Sequence, residues 1–119
     1  MADISKVQLL GRFGEDAEFR STQGGRDVAS FNLATDTDWF DKDTGEWRKN
    51  VNWHRVFTFQ PGLVERLRER GKKGVRVIVE GEMQYRSYRK DGEQSDRREA
   101  EVEIANGGVL NFIDGEKAD

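Results

Sequence analysis

The sequence predicts an all-β protein, a five-stranded antiparallel Greek-key barrel with one short helix between strands 3 and 4. Three observations predict it. Five runs rich in β-branched, aromatic or alternating apolar residues are separated by Gly- and Asp-containing turn sequences. Only one segment carries helical periodicity, and it is short. The chain is 119 residues long with 34% hydrophobic and 36% charged side chains, enough for one modest core and no second domain. A small barrel, with much surface for each core residue, tolerates so polar a balance.

The elements follow in order. The first strand is Lys6-Val7-Gln8-Leu9-Leu10, which Gly11 is expected to close. After a loop around Gly24-Gly25 the second runs from Val28 to Thr35, with Ala29, Phe31 and Leu33 alternating with small, mostly polar residues as in a half-buried strand. The third, Val51 to Phe59, is rich in aromatic and β-branched residues. Pro61 opens a helical first turn, and Leu63, Val64 and Leu67 form its apolar stripe. Gly71 is expected as the C-cap, with Arg68, Arg70, Lys72 and Lys73 near the negative end of the helix dipole. The fourth strand runs from Val75 to Tyr88, and Lys90-Asp91-Gly92-Glu93 supplies the Asp-Gly turn of a hairpin. The return strand, Arg97 to Ile104, places Ala100, Val102 and Ile104 on one face and Glu99, Glu101 and Glu103 on the other. A short tail strand fits Val109 to Ile113. Residues 1–113 thus form the domain and residues 114–119 a short C-terminal tail. A lone helix between strands 3 and 4 of such a set is the connectivity of an OB barrel.

Composition removes several function classes. There is no cysteine, hence no disulfide framework, thiolate metal site or redox couple. No run of 18 apolar residues is present, and the opening Met-Ala-Asp-Ile-Ser-Lys has no apolar stretch of a signal peptide. A cytoplasmic protein is the expectation. The net charge of −3 is not the basic footprint of a nucleic-acid binder, but its distribution is uneven. Residues 1–63 carry 8 basic and 10 acidic side chains, residues 64–98 carry 11 and 7, and residues 99–119 carry 1 and 6. Phosphate binding needs a local positive stripe rather than a basic whole, and ordinary solvated charge explains the same numbers equally well.

Aromatic residues are more informative. From Asp36 to Asn50 the chain reads DTDWFDKDTGEWRKN, a hairpin with Asp43-Thr44-Gly45-Glu46 at its tip. Trp39, Phe40 and Trp47 sit there among charges, where they either pack back onto the body or await a ligand. All three tryptophans fall between residues 39 and 53. On the third strand, alternation puts Trp53, Arg55, Phe57 and Phe59 on one side and Asn52, His54, Val56 and Thr58 on the other. An Arg between Trp and Phe on one face suits single-stranded nucleic acid, because flat platforms take bases and the cation takes phosphate. The plainer alternative makes this face the barrel interior, with Arg55 reaching out to solvent. Tyr85, Arg86, Tyr88, Arg89 and Lys90 repeat the combination on the fourth strand and its hairpin.

These segments resemble the bacterial and mitochondrial-type single-stranded DNA-binding proteins. The likeness rests on KVQLLGRFG at 6–14, VASFNLATDTDWFDKDTGE at 28–46, NWHRVFTF at 52–59 and GVRVIVEGEMQYRSYRKDGEQSDR at 74–97, in the right order and spacing. It implies an OB-fold, no enzymatic activity, and a homotetramer that wraps single-stranded DNA during replication, recombination and repair with little sequence preference. Its stacking aromatics fall on Trp39, Trp53, Phe59 and Tyr88, where better-known members carry Trp at the last position. Its basic contacts fall near Arg55, Lys73, Arg86 and Arg89, and beyond these near Lys6 and Lys72. Trp47 stands where other members usually have a polar residue, and there it is either an additional platform or a packing residue. Arg97-Arg98-Glu99-Ala100 stands where relatives have a tyrosine and small hydroxyl residues.

The sequence ends at Asn-Phe-Ile-Asp-Gly-Glu-Lys-Ala-Asp, without the flexible linker and acidic tip that recruit partners in the family, so tail-mediated partners are not expected. A trimmed chain or a short phage- or plasmid-borne member fits that ending, and the resemblance implies a nucleoid-associated protein of the cytoplasm. No cofactor, metal or catalytic residue is expected. His54 is the only histidine and reads as a packing or subunit-contact residue, since a metal site needs several ligands. The Glu99, Glu101 and Glu103 row reads as a solvated face. The competing reading is an OB-fold adaptor, as in primosome components that act mainly through protein contacts. An adaptor would have no need of Trp39, Trp53, Phe59 and Tyr88 together.

Overall fold

Strict alternation decides which side of each strand is inside. The computed structural model describes residues 3–88, 92 and 97–113. Its elements are β1 (Val7–Phe13), β2 (Glu18–Ser21), β3 (Asp27–Asp41), β4 (Glu46–Thr58), α1 (Pro61–Arg70), β5 (Arg76–Tyr88), β6 (Arg97–Glu103) and β7 (Val109–Ile113). Ala29, Phe31 and Leu33 of β3 are fully buried and pair across to Thr58, Val56 and His54 of β4. Val77 and Val79 of β5, Val102 of β6, Ile104 just beyond it, and Leu110 of β7 join them. The Phe13 and Phe31 rings stack at 4.4 Å in the centre.

Five strands close on themselves in the order β1-β3-β4-β6-β5, with β5 returning to β1 from Val7↔Gly81 to Arg12↔Arg76. This is the expected barrel. Four of its seams are antiparallel; the β4–β6 seam, Val56↔Val102 and Phe57↔Glu103, is parallel. Parallel pairing follows from the helix, whose crossover sends β5 back antiparallel to β1 and leaves β6 running with β4. β7 extends the sheet along β5, and β2 adds an edge to β3.

α1 begins at Pro61, in the N1 position where a missing N–H leaves no bond unmade. Val64 and Leu67 enter the barrel core, and Leu63 packs at its margin. Gly71 ends the helix as expected, though not through a left-handed conformation: its φ is −80°. What glycine supplies there is room, since a Cβ would stand 2.7 Å from the Leu67 carbonyl oxygen and 3.1 Å from Ala17. Thr58, the buried polar residue of the core, donates its hydroxyl to the Ile104 carbonyl at 2.6 Å and accepts the Gln60 amide at 3.1 Å. It ties the end of β4 to both β6 and the helix start.

Several boundaries differ from the sequence reading. Gly11 does not close the first strand; it lies inside β1, where any side chain would strike the Ala34 carbonyl. The second and third expected strands run on through the charged hairpin to Asp41 and Glu46, because cross-strand pairing carries the ladder past the last buried residue. β2 was not expected at all; its single inward residue, Phe19, makes too short an alternation to notice. Ala100 is exposed while Val102 and Ile104 are buried, since β5 and β6 continue beyond the barrel rim. Of the expected Asp-Gly turn only Gly92 is described, with φ +86°; Lys90, Asp91 and Glu93, like the 114–119 tail, lie outside the described residues.

Candidate nucleic-acid interface

Register makes the outer face of the β3–β4 ribbon unambiguous. The two strands pair without a bulge from Ala29↔Thr58 to Asp41↔Glu46. Paired residues point to the same side. Because Ala29, Phe31, Val56 and Thr58 point inward, Ser30, Asn32, Trp53, Arg55 and Phe57 point out. The alternative in which Trp53 and Arg55 line the interior is overturned.

Trp53 is 62% exposed. The edge of its indole rests against Gly14 in the β1–β2 loop, so closely that a Cβ at residue 14 would collide with the ring. Arg55 is held by three partners. Its Nη2 donates to Ser30 Oγ at 2.9 Å and to Glu18 Oε1 at 3.3 Å, and its Nη1 donates to Asn32 Oδ1 at 3.3 Å. The planar guanidinium is thereby fixed across β3, with room left for an incoming anion. Arg86 faces the same way from β5. Its Nε donates to Glu101 Oε2 at 3.2 Å, and its Nη2 lies 3.6 Å from Glu99 Oε1. Trp53, Arg55 and Arg86 line one shallow depression of about 520 Å³, with Asn32, Glu99 and Glu101. Glu101, expected on a solvated face, is only 13% exposed at its side chain because Arg86 covers it.

The remaining expected site residues divide. Phe59 is half-buried beside Phe57, their rings edge to face at 5.9 Å, and the Arg26 guanidinium lies 4.3 Å over the Phe59 ring centre. One side of that ring is therefore already covered. Lys73 is exposed, and its backbone amide donates to Asp16 Oδ1 at 2.9 Å. Gly14 and Asp16 belong to one loop, so Trp53 and Lys73 lie at the same end of the barrel. Trp39, 49% exposed, pairs with Arg48 on the continuation of the core-facing side, so it does not share a face with Trp53. Tyr88 ends β5 opposite Arg97, but its side chain, and all of Arg89, lie outside the described residues.

Sequence reasoning missed Arg26, Gly14 and Glu18, whose roles come from contacts across the fold and leave no local signal. It left Trp47 open between two roles. Trp47 is 71% exposed and meets Phe40, 45% exposed, edge to face at 5.4 Å on the outer side of the ribbon tip. At the same tip Arg48 Nε donates to Asp41 Oδ2 at 2.8 Å, and the Asp43 amide donates to Asp41 Oδ1 at 3.0 Å. The Arg48 guanidinium first, and the amide second, hold the Asp41 carboxyl below its usual range. His54 is bonded to Thr35, Oγ1 to Nε2 at 2.9 Å. Among the described residues no group of three or more His, Asp or Glu side chains is placed to hold a metal ion.

Comparison with known proteins gives the family and the fold. Residues 4–110 match the model of the single-strand binding protein family. A single-stranded DNA-binding protein of Rhizobium meliloti (strain 1021) is 36% identical over 113 residues, which is 94% of this chain and 64% of that protein's length. Among solved structures, the Plasmodium falciparum SSB in complex with ssDNA superimposes with a TM-score of 0.82 at 29% identity, covering 96% of this chain and 98% of that one.

Proposed function

The chain belongs to the single-strand binding protein family, and on that premise we propose that it binds and protects single-stranded DNA during replication, recombination and repair, without enzymatic activity. The observation that carries this reading is the outer depression, where an exposed indole stands beside two oriented guanidiniums. Bases stack on Trp53 with little regard to sequence, each such stack contributing about 1–3 kcal/mol. Arg55 and Arg86 then exchange part of their carboxylate and hydroxyl contacts for phosphate oxygens. Lys73 lies at the same end for a further phosphate, and Phe59, Tyr88 and Arg89 complete the family's set on this reading. Trp39, on the reverse of the ribbon, serves a strand that passes around the ribbon's edge.

A homotetramer fits the outer face of β1, β5 and β7. There Leu10 pairs with Ile78, and around this apolar centre Val109 and Ile113 share the face with Gln8, Arg12, Arg76, Glu80 and Asn111, a mixed surface that a second copy would cover. A place in the cytoplasm, on the nucleoid, accords with a DNA ligand. Among the described residues no helix is long and apolar enough to cross a membrane.

Intrinsic fluorescence titrated with oligo-dT at low and moderate salt tests the reading. Saturable quenching that falls sharply in Trp53→Ala is the expected result. Absence of quenching and of any bound labelled oligonucleotide at either salt would overturn it in favour of an adaptor.

A further inference from the structure

The outer file of β4 repeats itself. Read at every second residue toward the barrel it runs Trp47, Lys49, Val51, Trp53, Arg55, Phe57. An exposed tryptophan followed on the same face by a cation thus occurs twice, once at the barrel and once at the ribbon tip. Six residues of strand separate the two indoles, about 20 Å. At the tip, Phe40 braces Trp47 edge to face and leaves most of the indole open. Val51, 41% exposed, lies between Lys49 and the second indole.

Charge tells which way a polyanion would lie on this surface. The matching file of β3 carries Asp36 and Asp38, opposite Val51 and Lys49. Phosphates are repelled along that side and attracted along the β4 side, where Lys49 and Arg55 stand. A nucleic-acid backbone following β4 therefore meets platform, cation, platform, cation in sequence. A protein ligand docking on an apolar patch would have no use for that regular alternation.

We propose that Trp47, braced by Phe40 and served by Lys49, is a second base-stacking subsite for single-stranded DNA, continuous with the Trp53–Arg55 site. The proposal rests on the DNA-binding reading above and extends the path of the strand to the ribbon tip. It also assigns the role of Trp47, because a packing residue would not keep so much of its ring in solvent.

The test uses the full chain carrying Trp47 as its sole tryptophan, with Trp39→Phe and Trp53→Phe. Binding is followed independently by the anisotropy of labelled oligo-dT, while emission reports Trp47 alone. Saturable quenching of Trp47 by long oligo-dT is expected, and weaker quenching by the shortest oligomers that bind. In the otherwise native chain, Trp47→Ala is expected to weaken long oligo-dT about 5- to 150-fold, the range for one lost stack. Trp47→Phe should recover most of the loss and Trp47→Leu little, since leucine keeps apolar area without a flat face. Lys49→Ala should lower the slope of log affinity against log salt by about 0.7. Unchanged Trp47 emission while anisotropy shows the DNA bound overturns the proposal. So does a Trp47→Ala variant with native DNA affinity and an altered oligomeric mass, which would make the tip a contact between copies. Failure of the native chain to bind labelled DNA would instead strike the reading on which the proposal rests.

Discussion

An exposed indole serves as a platform only when something stops it from lying flat on its own strand. For Trp53 that something is Gly14, whose bare Cα takes the ring edge where any side chain would collide. Gly14→Ala should therefore turn the ring, lower oligo-dT affinity several-fold and shift the Trp53 emission maximum, with a small change in Tm; a titration of the free and bound protein checks it. At Arg55 the relevant property is shape. Its fork reaches Ser30, Asn32 and Glu18 at once, so Arg55→Lys should keep the charge yet weaken DNA binding severalfold, because an ammonium cannot hold all three partners and a phosphate. That Trp53 and Arg55 share a side was legible in the sequence from period-2 alternation; that this side faces out was not, and it follows from the register with buried Ala29 and Phe31. Gly14 and Arg26 were not. Each acts through a residue far along the chain, and a glycine after Phe13 or an arginine after Gly25 reads locally as ordinary loop.

The ribbon of β3 and β4 is held at its far end by polar contacts, not by a core. The Asp41 carboxylate collects the Arg48 guanidinium and the Asp43 amide, which lowers its folded pKa below the unfolded value. Its stabilising contribution is then present above the unfolded pKa and lost as pH falls through the lower, folded one. NMR of the Asp41 carboxyl should show a midpoint below 3.8, and Asp41→Asn should loosen the tip while leaving global Tm nearly unchanged. At the other end of β4, Thr58 joins three elements through one hydroxyl. Thr58→Val removes both of its bonds and leaves the Ile104 carbonyl and Gln60 amide short of a partner, so a loss of about 1–3 kcal/mol is expected in denaturant unfolding. The helix and the main strands could be read from periodicity. The reach of β3 to Asp41 could not, because the ladder past Thr35 is stabilised by pairing between charged and aromatic residues that carry no buried face. Glu18–Ser21 stayed hidden for the same reason, as an edge strand with one inward side chain.

For the whole molecule, an acidic total coexists with the proposed phosphate site because the acids beside its arginines are engaged with them. Arg86 is flanked by Glu99 and Glu101, and Arg55 by Glu18. Replacing Glu101 with Gln should strengthen oligo-dT binding severalfold at low salt and steepen its salt dependence, measured by anisotropy across a salt series. The connectivity of the barrel was legible from the single helix between runs of strand. The parallel β4–β6 seam was not, since it joins residues some 46 positions apart and depends on the path of the crossover. The unbroken register of the ribbon has a consequence for how such a chain can change length. One residue inserted or deleted in the β3 arm would turn Trp39 and Phe40 to the opposite sides, and one in the β4 arm would turn Trp47; only even changes matched between the arms keep every ring on its side. Natural variation in this hairpin should therefore come in matched, even steps, and a library of insertions would sort into tighter and weaker binders by parity rather than by composition.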